Sequence, residues 1–148
     1  MKSIFQIVAS IACAVALTAC GGGGNDTPAT TAPVQPVFSK TDIVVGTGTE
    51  AAAGDTVTVH YTGWLYSDSA SDKKGTQFET SVGSAPFSFP LGQGKVIAGW
   101  DQGVVGMKVG GKRTLIMPAS MAYGSTAQVK IPANSALVFD VEVLSVKR

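Results

Sequence analysis

Thr56-Val57-Thr58-Val59-His60-Tyr61-Thr62 alternates polar and apolar side chains without interruption. A period of two places Val57, Val59 and Tyr61 on one face and the three Thr residues and His60 on the other, the pattern of a half-buried strand. The pattern recurs downstream. Phe87, Phe89 and Leu91 alternate, with Pro90 marking an edge or an end because proline donates nothing to a ladder. Leu115 to Met117 is a short apolar run closed by Pro118, and Leu137, Phe139, Val141 and Val143 alternate with Val138, Asp140, Glu142 and Leu144 in the clearest strand of all. One segment follows a helical period instead: Ile97, Trp100 and Val104, at i, i+3 and i+7, predict about two turns. Gly92, Gly94, Gly110-Gly111 and Gly124 punctuate the intervals as turns. Several strands and one short helix predict an α+β domain over 38–148, its antiparallel sheet covered by the helix on one face.

Upstream of Phe38 the composition changes twice. Lys2 precedes an apolar run from Ile4 to Leu17, about 14 residues where a spanning helix needs about 20. A basic start followed by a short apolar run at the N-terminus is the layout of a signal peptide. The run closes on Leu17-Thr18-Ala19-Cys20-Gly21, which is similar to a bacterial lipoprotein signal. That resemblance implies a signal peptide over 1–19, acylation of Cys20 as the first mature residue, and, with Gly21 rather than Asp next to it, an outer-membrane destination with the domain facing the periplasm. An ordinary signal peptide and a buried apolar helix are the other readings of this run. Residues 20–37 then hold the lipidated Cys and a Gly-, Pro- and Thr-rich stretch, GGGGNDTPATTAPVQP over 21–36, whose composition cannot bury enough surface to offset ordering and is expected to form a flexible tether.

Composition excludes several classes of function. The 148 residues carry 11 basic and 10 acidic side chains and one His, for a net charge of +1, so there is no electrostatic footprint for nucleic acid. Removing 1–19 takes away Lys2 and Cys13 and leaves equal numbers of basic and acidic groups, with Cys20 the only remaining Cys. Neither a disulfide framework nor a His-rich metal site is available, so no metal and no cofactor is expected. The chemistry must come from apolar and hydrogen-bonding groups. His60 lies on the face away from Tyr61 and reads as a structural or surface residue; Lys73 and Lys74 read as a solvated loop.

Six ordered segments identify a family: Val59-His60-Tyr61-Thr62-Gly63, Gly75-Thr76-Gln77-Phe78-Glu79-Thr80-Ser81, Val96-Ile97-Ala98-Gly99-Trp100, Ala122-Tyr123-Gly124, Ile131-Pro132 and Leu137-Val138-Phe139-Asp140-Val141. From Asp42 to Lys147 the chain resembles the FKBP-type peptidyl-prolyl cis-trans isomerases. The resemblance implies a sheet curled around the short helix, with the active site in the hollow between them. It implies Trp100 as a floor for the proline ring, and Tyr61, Phe78, Phe87, Val96, Ile97, Ile131 and Phe139 as walls. It further implies that the Tyr123 hydroxyl and the Ile97 N–H donate to substrate carbonyls. Glu79 stands where the family usually has Asp and would lie near the twisting amide. No Arg stands between Phe78 and Phe87, where the family commonly has one, Lys95 replaces a frequent acidic residue, and the loop Ser125 to Lys130 lacks the aromatic, His or Ile side chains that often cap the pocket.

The implied partners are proline-containing polypeptides, macrolide inhibitors and, through the lipid, a membrane; the domain is expected to be a monomer. A chaperone that binds proline segments without turning them over, or a structural envelope lipoprotein, is the alternative. Chaperone-type relatives carry an extra domain between the equivalents of Tyr123 and Ile131, where this chain has seven residues. The reaction itself needs no nucleophile: rotation about X–Pro faces a barrier of about 18–20 kcal/mol and breaks no bond. A dry aromatic pocket that disfavours the planar, well-hydrated amide relative to the twisted one supplies the differential binding that catalysis requires.

Overall fold

The computed structural model describes residues 33–148. The expected signal peptide, the acylated Cys20 and the expected tether up to residue 32 lie outside the described residues. Six strands form one sheet: β1 (Ser39–Val44), β2 (Thr56–Tyr66), β3 (Lys74–Thr80), β4 (Phe87–Pro90), β5 (Lys112–Met117) and β6 (Leu137–Lys147). One helix, α1 (Ala98–Gly103), precedes β5, and a 3₁₀ turn, Ala119–Met121, follows it.

Every pairing is antiparallel, in the order β1-β5-β6-β2-β3 with β4 also on β2. The long strand β2 organises the sheet. β6 runs along one side of it from Thr56 to Leu65, while its other side is shared, Thr56 to Val59 pairing with β4 and Thr62 to Tyr66 with β3. Register shifts between Thr58 and Val59 and between Gly63 and Trp64 interrupt these ladders. Such bulges bend and twist a strand, and here they help the sheet curl toward α1.

Alternation places the core where the sequence predicts it. Val57, Val59, Leu115, Leu137, Val141 and Val143 are fully buried beneath α1, together with Leu91 and Val104. Val138 departs from the pattern: it sits on the opposite face yet is also fully buried, between Trp64 and Ile116 on the neighbouring strands. The helix is shorter than its period predicts. Ile97 and Val104, the first and last residues of the apolar spacing, are its caps, and only six residues between them are helical.

Two strands have no counterpart in the sequence pattern. β1 is exposed along its whole length because it forms a sheet edge, and β3 is polar except for Phe78. Lys74, read as part of a loop, instead opens β3. Its Nζ lies 2.9 Å from Asp140 and 4.5 Å from the centre of the Trp64 ring. An ammonium held by a carboxylate and an aromatic face is anchored to the sheet rather than free in solvent. Lys73 is the turn residue before it, at φ 62°, paired with the exposed Asp68.

Candidate active site

The concave face of the sheet and α1 enclose a cavity of about 370 Å³. Its floor is Trp100, in the first turn of the helix and 5% exposed. The indole is surrounded by rings: Tyr61 at 5.0 Å, Phe139 at 5.3 Å, Phe89 at 5.5 Å and Phe87 at 6.0 Å between centroids. Tyr61, Phe87 and Phe139 meet it edge-on, the geometry that places a positive ring edge against a negative face. The walls are therefore rigid and apolar.

The helix is positioned by the loop before it. Gly92 and Gly94 N–H groups donate to the two carboxylate oxygens of Asp101 at 2.9 Å each. Both glycines have positive φ, at 75° and 67°, which bends the loop back over the first turn. Val96 and Ile97 are thereby carried to the rim. Ile97 is extended (φ −60°, ψ 148°), its carbonyl accepts the N–H of Trp100 at 2.9 Å, and its own N–H meets no acceptor among the described residues.

Of the ten residues singled out by sequence, Tyr61, Glu79, Phe87, Val96, Ile97, Trp100, Tyr123 and Phe139 line this one cavity. Phe78 and Ile131 do not. They line an adjoining hollow of about 590 Å³, bordered by β3 and the loop Gln128 to Ile131. Phe78 backs the cavity wall, its ring edge-on to Phe139 at 5.6 Å. Glu79 and Tyr123 face both spaces. Phe87 and Tyr123, 41% and 37% exposed, form the accessible rim.

Glu79 sets the electrostatics of that rim. Burial first, then the charge of Glu79 and a hydrogen bond to it, push the Tyr61 hydroxyl up to about 12. Burial and the same carboxylate raise Tyr123 as well. Both phenols are consequently neutral donors across the physiological range. The Glu79 carboxylate, on the strand paired with β2, is close enough to the Tyr61 hydroxyl to raise it.

Sequence reasoning missed two contributors. Phe89, 3% exposed, stacks on Phe87 at 5.5 Å behind the floor; its alternation with Phe87 identified it only as core. Ser81, 7% exposed, accepts the Tyr61 backbone N–H at 2.9 Å and lies 3.0 Å from His60 Nδ1, fixing the strand that presents Tyr61. No spacing marks such a serine. Lys95, noted as a departure, stands at the lip. His60 itself lines a different hollow, on the other face of the sheet, beside Lys74, Lys112 and Glu142. Among the described residues no group of His, Cys, Asp and Glu side chains is disposed to hold a metal.

Comparison with known proteins agrees with this architecture. Residues 47–144 match the family model for FKBP-type peptidyl-prolyl cis-trans isomerase. FK506-binding protein 1 of Aspergillus oryzae is 46% identical over 108 residues, covering 70% of this chain and 93% of the relative. FK506-binding protein 4 of Gibberella zeae is 46% identical over 120 residues, 81% of this chain; the match spans only 23% of that longer protein, and 25% of its Neurospora crassa counterpart. Among solved structures, FkpA from Escherichia coli is 40% identical with a TM-score of 0.62, covering 74% of this chain and 48% of the other. AtFKBP13 is 36% identical with a TM-score of 0.62, covering 75% and 93%.

Proposed function

The chain belongs to the FKBP-type peptidyl-prolyl cis-trans isomerase family, and from that membership we propose that its domain accelerates cis-trans rotation about X–Pro bonds in polypeptide clients. The observation that carries the proposal is the Trp100-floored aromatic cup, open at a rim that carries neutral hydroxyl and N–H donors. The prolyl ring rests on Trp100 against Tyr61, Phe87 and Phe139. Tyr123 Oη and the Ile97 N–H donate to carbonyls flanking the proline and hold the peptide in a turn. As the amide twists, its resonance is lost and its carbonyl needs water less, so the apolar cup favours the twisted state over the planar one. Each 1.36 kcal/mol of that preference is worth about tenfold in rate. Glu79, which lines the same cavity, supplies a negative potential beside the amide nitrogen as it becomes pyramidal.

The relatives are named FK506-binding proteins, and we extend to this chain the proposal that such a macrolide competes for the same cup. The test is an exchange measurement of cis and trans populations of a short X–Pro peptide, with and without that ligand. Ligand-sensitive acceleration is expected. A domain that binds the peptide without accelerating exchange would be a proline-segment binder instead.

We further propose that the protein is an exported bacterial lipoprotein, anchored through Cys20 to the outer membrane and exposed to the periplasm, with 20–37 as the connection. The reading is supported by Leu17-Thr18-Ala19-Cys20-Gly21 and by the composition that follows it. A diacylglyceryl group with an amide-linked chain exceeds the two-chain requirement for stable attachment. Its clients are then envelope or secreted proteins in the course of folding, met by a single domain acting as a monomer.

A further inference from the structure

Gln35 lies in the stretch whose composition reads as a tether, yet its side chain is bound to the domain at two places far away in sequence. Its Oε1 accepts the Ala119 N–H at 2.8 Å, and its Nε2 donates to the Asn134 carbonyl at 2.9 Å and to its own neighbour Pro33 at 3.1 Å. The amide orientation is dictated by its partners, since an N–H requires the oxygen and a carbonyl requires the nitrogen. Pro36 favours extended backbone at Gln35.

These two contacts close a ring. The Ala119 carbonyl accepts the Gly124 N–H at 2.8 Å, and the Gly124 carbonyl accepts the Asn134 N–H at 2.7 Å. Gln35 joins the remaining ends, Ala119 and Asn134. Gly124 and Asn134 both adopt left-handed backbone, at φ 59° and 60°, conformations that glycine and asparagine tolerate best. Tyr123 is the residue immediately before Gly124, inside the ring, and Ile131 is three residues before Asn134. Without Gln35 the two loops would be joined across this point by the Asn134-to-Gly124 bond alone, next to a side chain that is 37% exposed.

We propose that Gln35 is a positioning residue for the isomerase site: by closing the hydrogen-bond ring Gln35–Ala119–Gly124–Asn134 it holds the backbone that aims the Tyr123 hydroxyl across the cup. The catalytic unit therefore extends upstream of β1 into the segment that connects it to Cys20. The inference rests on the isomerase reading for its effect on rate, but the ring itself is independent of that reading.

The test uses the mature chain with Gln35→Ala and Gln35→Met, the second keeping length while removing both hydrogen-bonding groups. Val37→Ala, at an 87%-exposed neighbour in the same segment, is the control. Hydrogen exchange at the Gly124 and Asn134 amides is expected to quicken about tenfold in both Gln35 variants, as expected when flanking hydrogen bonds are lost, and to stay unchanged in Val37→Ala. The kcat/KM for an X–Pro peptide is expected to fall about three- to tenfold while the urea midpoint stays put. In a Tyr123→Phe background, Gln35→Ala is expected to cause no further loss of rate, because its effect passes through the missing hydroxyl. Unchanged amide exchange would overturn the ring. A full additional loss in the Tyr123→Phe background, or a rate loss that merely follows the urea midpoint, would overturn the positioning role. A wild-type chain that accelerates nothing would sink the isomerase reading and the positioning role with it, while the amide exchange would still report whether Gln35 closes the ring.

Discussion

At the scale of single residues the site depends on one buried indole and one carboxylate. Trp100 touches four aromatic rings and is 5% exposed, so Trp100→Ala removes both the floor and a keystone of the core. The expected cost is about 3–5 kcal/mol of stability together with a large fall in turnover, read by urea unfolding and peptide exchange. Glu79→Gln keeps shape while removing charge; a lowered rate at near-unchanged stability is expected, and wild-type rates would mean that shape and desolvation suffice. The tyrosines govern the pH response. Tyr61 is raised from its ordinary 10.0 to about 12, so the folded state holds that proton more tightly than the unfolded one. Its contribution to stability is whole below pH 10 and is lost as pH rises from 10 through 12. Rotation of an amide requires no proton transfer, and the Tyr123 donor is likewise held protonated. Catalytic efficiency is therefore expected to be flat between about pH 6 and 8.5, and a bell-shaped profile would reveal an essential acid or base.

At the scale of elements, α1 has six residues and no side-chain N-cap, so its stability comes from what packs on it. Gly99 and Gly103 let it close onto β5. A Cβ at Gly103 would stand 2.6 Å from both Cδ atoms of Leu115, and one at Gly99 would overlap Met117 Sδ. Gly103→Ala is expected to destabilise by about 1–3 kcal/mol through overpacking and to tilt the Trp100 floor, lowering kcat/KM. Thermal unfolding and peptide exchange check it, and a neutral outcome would show that the helix can shift without moving the floor. Arg113 secures the far end. Its guanidinium donates to the Gly103 and Val105 carbonyls at 2.8 and 3.2 Å and to Asp42 of β1 at 3.0 Å. That hydrogen bond holds the Asp42 carboxyl below its usual range. One buried cation thus joins the helix end to an otherwise exposed edge strand.

At the scale of the whole molecule, the segment before β1 is bound to the domain through Gln35. Among the described residues no helix is long and apolar enough to cross a membrane. If Cys20 carries the lipid, Cys20→Ala is expected to move the protein from the membrane to the soluble fraction with kcat/KM unchanged. A variant that still sediments with membranes would refute acylation as the attachment.

Alternation alone determined the faces of β2, β4 and β6, because a half-buried strand must turn every second side chain toward the core: Val57, Val59, Phe89, Leu137, Phe139, Val141 and Val143 are buried on it, while Phe87 reaches the exposed rim and Val138 is buried on the opposite face. The spacing Ile97, Trp100, Val104 located α1, and six ordered segments identified the family, whose resemblance implied ten site residues; the fold brings eight of them to one cavity. Pattern could not reveal β1 or β3, since edge strands bury little and carry no period. Nor could it show that Lys74 is anchored on Trp64 and Asp140, that Phe78 and Ile131 face a separate hollow, or that Ser81 fixes the strand behind Tyr61. Gln35 is the extreme case: its partners are 84 and 99 residues away, and a polar side chain in a Pro- and Thr-rich stretch carries no local mark of where it will bind. Local periodicity records which face is buried, whereas a hydrogen bond between distant segments exists only once the sheet has curled and brought their backbones within 3 Å of one another's reach.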